Sequence, residues 1–140
     1  MSLARGLILL VEDDSQLRDA IETLLHRANY DVISTGDGLR AVEQADEHRP
    51  SVALVDLLVT GQSGFQVAIA LKARFGDRVR VAVMSKNDSA AHQDYAAASD
   101  AERFLPKPFT AAALLDAVAA LCPLPQATPT EVRRKVKIGA

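Results

Sequence analysis

The chain has 140 residues, 49% hydrophobic and 24% charged, with a net charge of −2. That length suits one domain with a real core, and the near-neutral charge gives no global argument for a nucleic acid or an anionic membrane as partner. The single cysteine, Cys122, excludes an internal disulfide and fits a reducing cytoplasm, the apolar runs are too short to span a bilayer, and residues 1–20 lack a signal-peptide profile.

Along the chain, short apolar runs alternate with helical patterns, which predicts a parallel sheet with crossover helices. The runs fall at about 7–11, 31–35, 51–55, 80–84 and 102–105; those at 7–11 and 52–55 are nearly all apolar, as central strands covered on both faces should be. The first helix follows Ser15, with Leu17, Ile21, Leu24, Leu25 and Ala28 on one stripe, and Asp14 favours its start through the helix dipole. Asp37 caps the second, whose inner face is expected to carry Leu39, Val42 and Ala45. Ser63 and Gln66 have capping-box spacing at the start of the third. Asp88 or Ser89 opens a weak, alanine-rich fourth helix around Tyr95, and Thr110 caps the last, where Leu114, Leu115, Val118 and Leu121 recur at helical spacing. Cys122 reads as a small apolar residue near its end. Beyond it, Pro123, Pro125 and Pro129 interrupt any helix, and Arg133, Arg134, Lys135 and Lys137 make a basic tail or the start of a linker. The chain therefore divides into a domain over residues 5–121 and a proline-containing basic segment over 122–140.

Polar groups stand where the apolar runs end: Glu12 and Asp13 after the first, Asp56 after the third, Ser85 after the fourth, and Lys107 just past the fifth. A parallel sheet delivers such residues to one mouth at its carboxyl edge. Glu12 and Asp13 alone would read as a solvated strand end, Lys107 alone as a surface lysine, and Ser85 alone as a cap or turn residue. Together with Asp56 the acids read differently, because each pair of close carboxylates costs about 4 kcal/mol at 4 Å with an effective dielectric near 20. A Mg²⁺ ion removes that repulsion through oxygen ligands and keeps positions for water and phosphate oxygens. The histidines His26, His48 and His92 lack metal-ligand spacing, and the chain carries no Gly-rich phosphate loop, Ser–His–acid arrangement or zinc pattern.

In order and spacing, this constellation resembles the receiver domain of bacterial two-component response regulators, over roughly residues 5–121. The resemblance implies a doubly wound, flavodoxin-like α/β fold: a five-stranded parallel sheet in the order 2-1-3-4-5 with helices on both faces. It implies Asp56 as phosphoryl acceptor, with Asp13 and Asp56 as direct Mg²⁺ ligands, Glu12 acting through water and the backbone carbonyl of Leu58 as a further ligand. It further implies that Lys107 contacts the phosphoryl oxygens and is joined to Pro108 by a cis bond, that the Ser85 hydroxyl moves to the phosphoryl group, and that Phe104, three residues before the lysine, is the aromatic switch position. The donor it implies is a sensor histidine kinase or a histidine phosphotransfer protein. The output face it implies is that of the fourth helix, fifth strand and last helix, read by a downstream partner or a second copy of the chain. Such a module is a cytoplasmic switch that catalyses only its own phosphorylation and dephosphorylation, with no direct nucleic-acid or membrane contact.

Four positions depart from the family pattern. Thr60 stands where proline is common, Ser63 where aspartate is common and Asp100 where glycine is frequent. Lys86 replaces a usually small residue, and either crowds the pocket or adds positive charge over the phosphoryl group. Two other classes stay in view. A haloacid-dehalogenase-like phosphatase also uses an aspartate at a strand end, but Leu58 occupies the place of its general acid. A degenerate receiver acting only as a binding module is opposed by the intact set of Glu12, Asp13, Asp56, Ser85 and Lys107.

Overall fold

The computed structural model describes residues 4–59, 63–86 and 100–122. Five strands, β1 (Leu7–Val11), β2 (Asp31–Thr35), β3 (Val52–Asp56), β4 (Arg80–Ser85) and β5 (Arg103–Pro106), form one sheet in the order β2-β1-β3-β4-β5. All neighbouring pairs are parallel, with registers such as Leu9↔Ala53 and Val83↔Phe104. The helices are α1 (Ser15–Arg27), α2 (Gly38–His48), α3 (Gly64–Phe75) and α4 (Ala111–Leu121), with a 3₁₀ turn at Gly76–Arg78. This is the expected doubly wound α/β sheet. β3 and β5 each begin one residue later than the sequence suggests, as strand ends commonly do.

The period of two along the strands builds the core. In β1, Ile8 and Leu10 face one side with Ile21, Leu25, Leu114 and Val118, whereas Leu9 and Val11 face the other with Ala41, Ala45, Val67 and Leu71. Thus α1 and α4 cover one face and α2 and α3 the other. Every residue of β3 is buried. Fully burying each large aliphatic side chain contributes about 1.5–3 kcal/mol, so the sheet centre is the rigid base from which the strand ends project.

The helix starts follow the side-chain chemistry. Asp14 caps α1 by accepting the amides of Gln16 and Leu17, Asp37 caps α2 through Leu39, and Thr110 caps α4 through Ala113. Ser63 accepts from Gln66 N at 3.3 Å, the only half of the expected capping box formed among the described residues. The inner face of α2 needs a correction: Leu39 is 65% exposed. The buried stripe is instead Gly38, Ala41 and Ala45, with Val42 partly covered. Small residues let α2 lie close to the sheet, and Leu39 falls one step off that stripe. Asp100 takes a left-handed conformation with φ 64°, as expected of aspartate in a glycine position.

The helix predicted around Tyr95, His92, Thr60, Gly61 and the tail beyond Cys122 lie outside the described residues. No described helix is long and apolar enough to cross a membrane.

Candidate phosphoryl-acceptor site

β1 and β3 are neighbours, and both end at the same edge of the sheet. Their last turns bring Glu12, Asp13 and Asp56 together, each with a carboxylate oxygen within 4.8 Å of the others. Glu12 is fully buried and Asp56 nearly so, while Asp13 faces solvent. The three acids line a cleft of about 260 Å³ with Asp14, Leu17, Leu58, Lys86 and Lys107. Thus Glu12, Asp13, Asp56, Leu58 and Lys107 converge as the sequence suggests. A larger hollow of about 390 Å³, between Asp46, Arg49, Arg74 and Phe75, opens elsewhere and holds none of these groups.

Lys107 reaches this cluster because of what precedes it. Pro106 ends β5 without an amide hydrogen to donate, and the next amide, Lys107 N, bonds Ser85 O at 2.7 Å. The following Lys107–Pro108 bond is cis. The ammonium donates to Glu12 Oε1 at 2.5 Å and Asp56 Oδ2 at 3.0 Å, and the lysine side chain is only 7% exposed. Asp56 Oδ1 accepts from Leu58 N at 3.0 Å, so both oxygens of this carboxylate are held.

One cation against three acids leaves the cluster under-neutralised. Burial and the adjoining Asp56 carboxyl push the Glu12 carboxyl up to about 7, in spite of Lys107. Burial alone would lower the Lys107 ammonium, but its bonds to Glu12 and Asp56 outweigh that and raise it above its ordinary value. Three hard oxygen donors in excess negative charge fit a small divalent cation such as Mg²⁺.

Ser85 is buried at the end of β4, and its carbonyl anchors Lys107. Phe104 is half-buried against the cluster containing Val83. His26 and His48 are exposed on helices α1 and α2.

Two residues that support the site carry little sequence signal. Arg18 Nη1 donates to the Glu12 carbonyl at 2.8 Å, fixing the turn after β1. Gly64, at the start of α3, is sterically required. A Cβ there would stand 2.2 Å from the Asp56 carbonyl oxygen and 2.5 Å from Leu57 Cα. The start of α3 is pressed onto the backbone of the acid itself.

Comparison with known proteins agrees with this geometry. The family model of the response regulator receiver domain matches residues 8–119. The chain is 30% identical over 132 residues to transcriptional regulatory protein PrrA of Mycobacterium tuberculosis, covering 94% of this chain and 56% of PrrA. It is 29% identical over 109 residues to the DNA-binding response regulator MtrA of the same organism, covering 78% of this chain and 47% of MtrA. The chain thus spans about half the length of these relatives. Two solved structures share the fold. The BeF3-activated N-terminal receiver domain of Klebsiella pneumoniae RstA superposes with a TM-score of 0.78 at 22% identity, covering 83% of this chain and 97% of that one. The chemotaxis protein CheY4 of Vibrio cholerae gives 0.78 at 23%, covering 86% and 99%.

Proposed function

Because this chain belongs to the response regulator receiver domains, we propose that it accepts a phosphoryl group on Asp56 from a histidine kinase or a histidine phosphotransfer protein and acts as a conformational switch. The observation that carries this is the set of three carboxylates within 4.8 Å at the ends of β1 and β3, bridged by a buried lysine from beyond β5. The phosphatase alternative lacks its proton donor: position 58 is a leucine, 68% exposed at the cleft.

In the transfer, an Asp56 oxygen bonds the phosphorus as the donor's phosphorus–nitrogen bond breaks, and the electron pair leaves with the imidazole. The chain's part is mostly alignment and charge. The Leu58 amide and Lys107 fix the Asp56 carboxylate, and the Lys107 ammonium is placed to turn toward the incoming phosphoryl oxygens, a charge-assisted bond. Asp13, Asp56 and the Leu58 carbonyl would hold Mg²⁺, with Glu12 acting through water. When bound, that ion supplies neutralisation of the acids and of the phosphoryl oxygens.

Ser85 and Phe104 convert the modification into motion. The buried hydroxyl is drawn to the phosphoryl group and the half-buried ring follows it inward. The change emerges on the face of β5, α4 and the predicted helix around 89–98, where a downstream partner or a second copy binds. Residues 5–121 constitute this module, and 122–140 serve as tail or linker.

Intact mass spectrometry with a small phosphodonor tests the assignment. Wild type should gain one phosphoryl group, only with Mg²⁺, and Asp56→Asn should gain none. Labelling of the variant at the wild-type level would refute Asp56 as the acceptor.

A further inference from the structure

Of the cations lining the acidic cleft, Lys107 is committed to Glu12 and Asp56, whereas Lys86 is exposed and makes no hydrogen bond or ion pair among the described residues. Lys86 also lines the adjoining apolar hollow of about 360 Å³ with Leu17, Lys107, Pro108 and Phe109. With Leu17 and Lys107 it borders both depressions, one residue beyond Ser85 at the end of β4.

The charges of the cleft define what this ammonium can do. Asp14 accepts the amides of Gln16 and Leu17, so its charge is set against the positive end of the α1 dipole rather than against a cation of the cleft. Glu12, Asp13 and Asp56, taken as ionised, are balanced by one divalent cation and Lys107. Transfer of a dianionic phosphoryl group to Asp56 replaces one negative charge by two and leaves the cleft one charge short. Among the described residues, Lys86 is the remaining cation on its wall.

We infer that Lys86 is a second phosphoryl-contacting cation, pairing with an outer oxygen of the acyl phosphate and prolonging the modified state. This rests on the acceptor role of Asp56. Loss of the group requires a water oxygen to bond the phosphorus while the phosphorus–oxygen bond to Asp56 breaks; the electron pair returns to the carboxylate, a proton goes to bulk water and inorganic phosphate leaves. An ammonium lying over the outer oxygens occupies part of the water's approach and holds the ground state. Before transfer, the same charge attracts an anionic donor, with a salt-dependent effect on rate.

The test uses the full chain labelled with acetyl phosphate and Mg²⁺, freed of donor, and followed by intact mass. Lys86→Ala should lose its phosphoryl group about fivefold faster than wild type, and Lys86→Arg should stay within about twofold, since a guanidinium also binds phosphate oxygens. Labelling of Lys86→Ala should be slower and less sensitive to salt. A second readout needs no turnover: in wild type, beryllofluoride should protect the Lys86 amine from an acylating reagent, located by peptide mass mapping. If wild type takes no phosphoryl group, both the acceptor role and this one fail. If it labels normally but Lys86→Ala hydrolyses at the same rate, or beryllofluoride leaves the amine unprotected, only the Lys86 role is overturned.

Discussion

Among the described residues two lysine side chains are largely covered, both against acids, and they do opposite work. Lys72, on α3, has a side chain 9% exposed and donates to Gly76 O at 2.8 Å, Val79 O at 3.1 Å and the Glu102 carboxylate. Glu102 in turn accepts Val81 N at 2.6 Å. Three donors meet three acceptors, two of them neutral carbonyls, so the end of α3 is tied to the starts of β4 and β5 with nothing left over. Lys107 is as deeply buried, but its acceptors are carboxylates, and one of them is pushed to about 7. A cation matched by one close carboxylate and two neutral carbonyls makes a strut. An excess of acid around one cation makes a site that improves when more positive charge arrives.

Removing each lysine should separate these roles most strongly. Lys72→Met orphans two carbonyls and a carboxylate and should cost about 2–3 kcal/mol of stability in urea unfolding, unchanged by Mg²⁺. Lys107→Met should also destabilise the metal-free protein, because Glu12 and Asp56 lose their shared cation, but Mg²⁺ should restore much of that loss. Equal responses of the two variants to Mg²⁺ would break the comparison.

A smaller effect is expected where α3 meets Asp56. Gly64→Ala must displace the Asp56 backbone or the helix start, a clash costing about 1–3 kcal/mol. It should slow labelling of Asp56 as well as lower stability. A variant that labels at the wild-type rate would mean that the helix yields and the strand end does not.

The gentlest probe is pH. The Glu12 carboxyl is raised from 4.5 to about 7 in the metal-free fold, so the folded state holds this proton more tightly than the unfolded chain. Its contribution is complete below about 4.5 and is lost as pH rises through about 7. Metal-free wild type should therefore lose stability between pH 5.5 and pH 8 relative to Glu12→Gln, and Mg²⁺ should stabilise wild type more at pH 8 than at pH 5.5. Parallel unfolding midpoints for wild type and variant across that range would show that Glu12 is not the group responsible.

These contrasts also mark what a sequence can disclose. Strand identity is legible in short, nearly all-apolar runs such as Leu7–Val11 and Val52–Val55, and the caps at Asp37, Ser63 and Thr110 are local chemistry. The order of the strands is not local; it followed from the resemblance carried by Glu12, Asp13, Asp56, Ser85 and Lys107. Leu39 was misplaced because hydrophobicity favoured a leucine over the smaller Gly38 and Ala41, which fit where α2 approaches the sheet closely. The Lys72–Glu102 tie joins residues 30 positions apart, and in sequence each looks like an ordinary solvated charge. The contact of Arg18 with the Glu12 carbonyl is similarly hidden, since nothing at position 18 announces a backbone partner six residues earlier.

The opposite end of the domain has its own logic. Arg5 N bonds Asn29 O at 2.7 Å, its guanidinium lies 4.8 Å from the Tyr30 ring centre, and Cys122 Sγ donates to Arg5 O at 3.6 Å. A Cβ on Gly6 would stand 2.5 Å from that sulfur, so the strand entering the sheet and the helix leaving it are in direct contact. α4 begins just past Lys107 and finishes at this seam. The fold can thus be handled as a cassette: a host protein spliced to it through positions 5 and 122 would need only a short gap in its own loop to receive it.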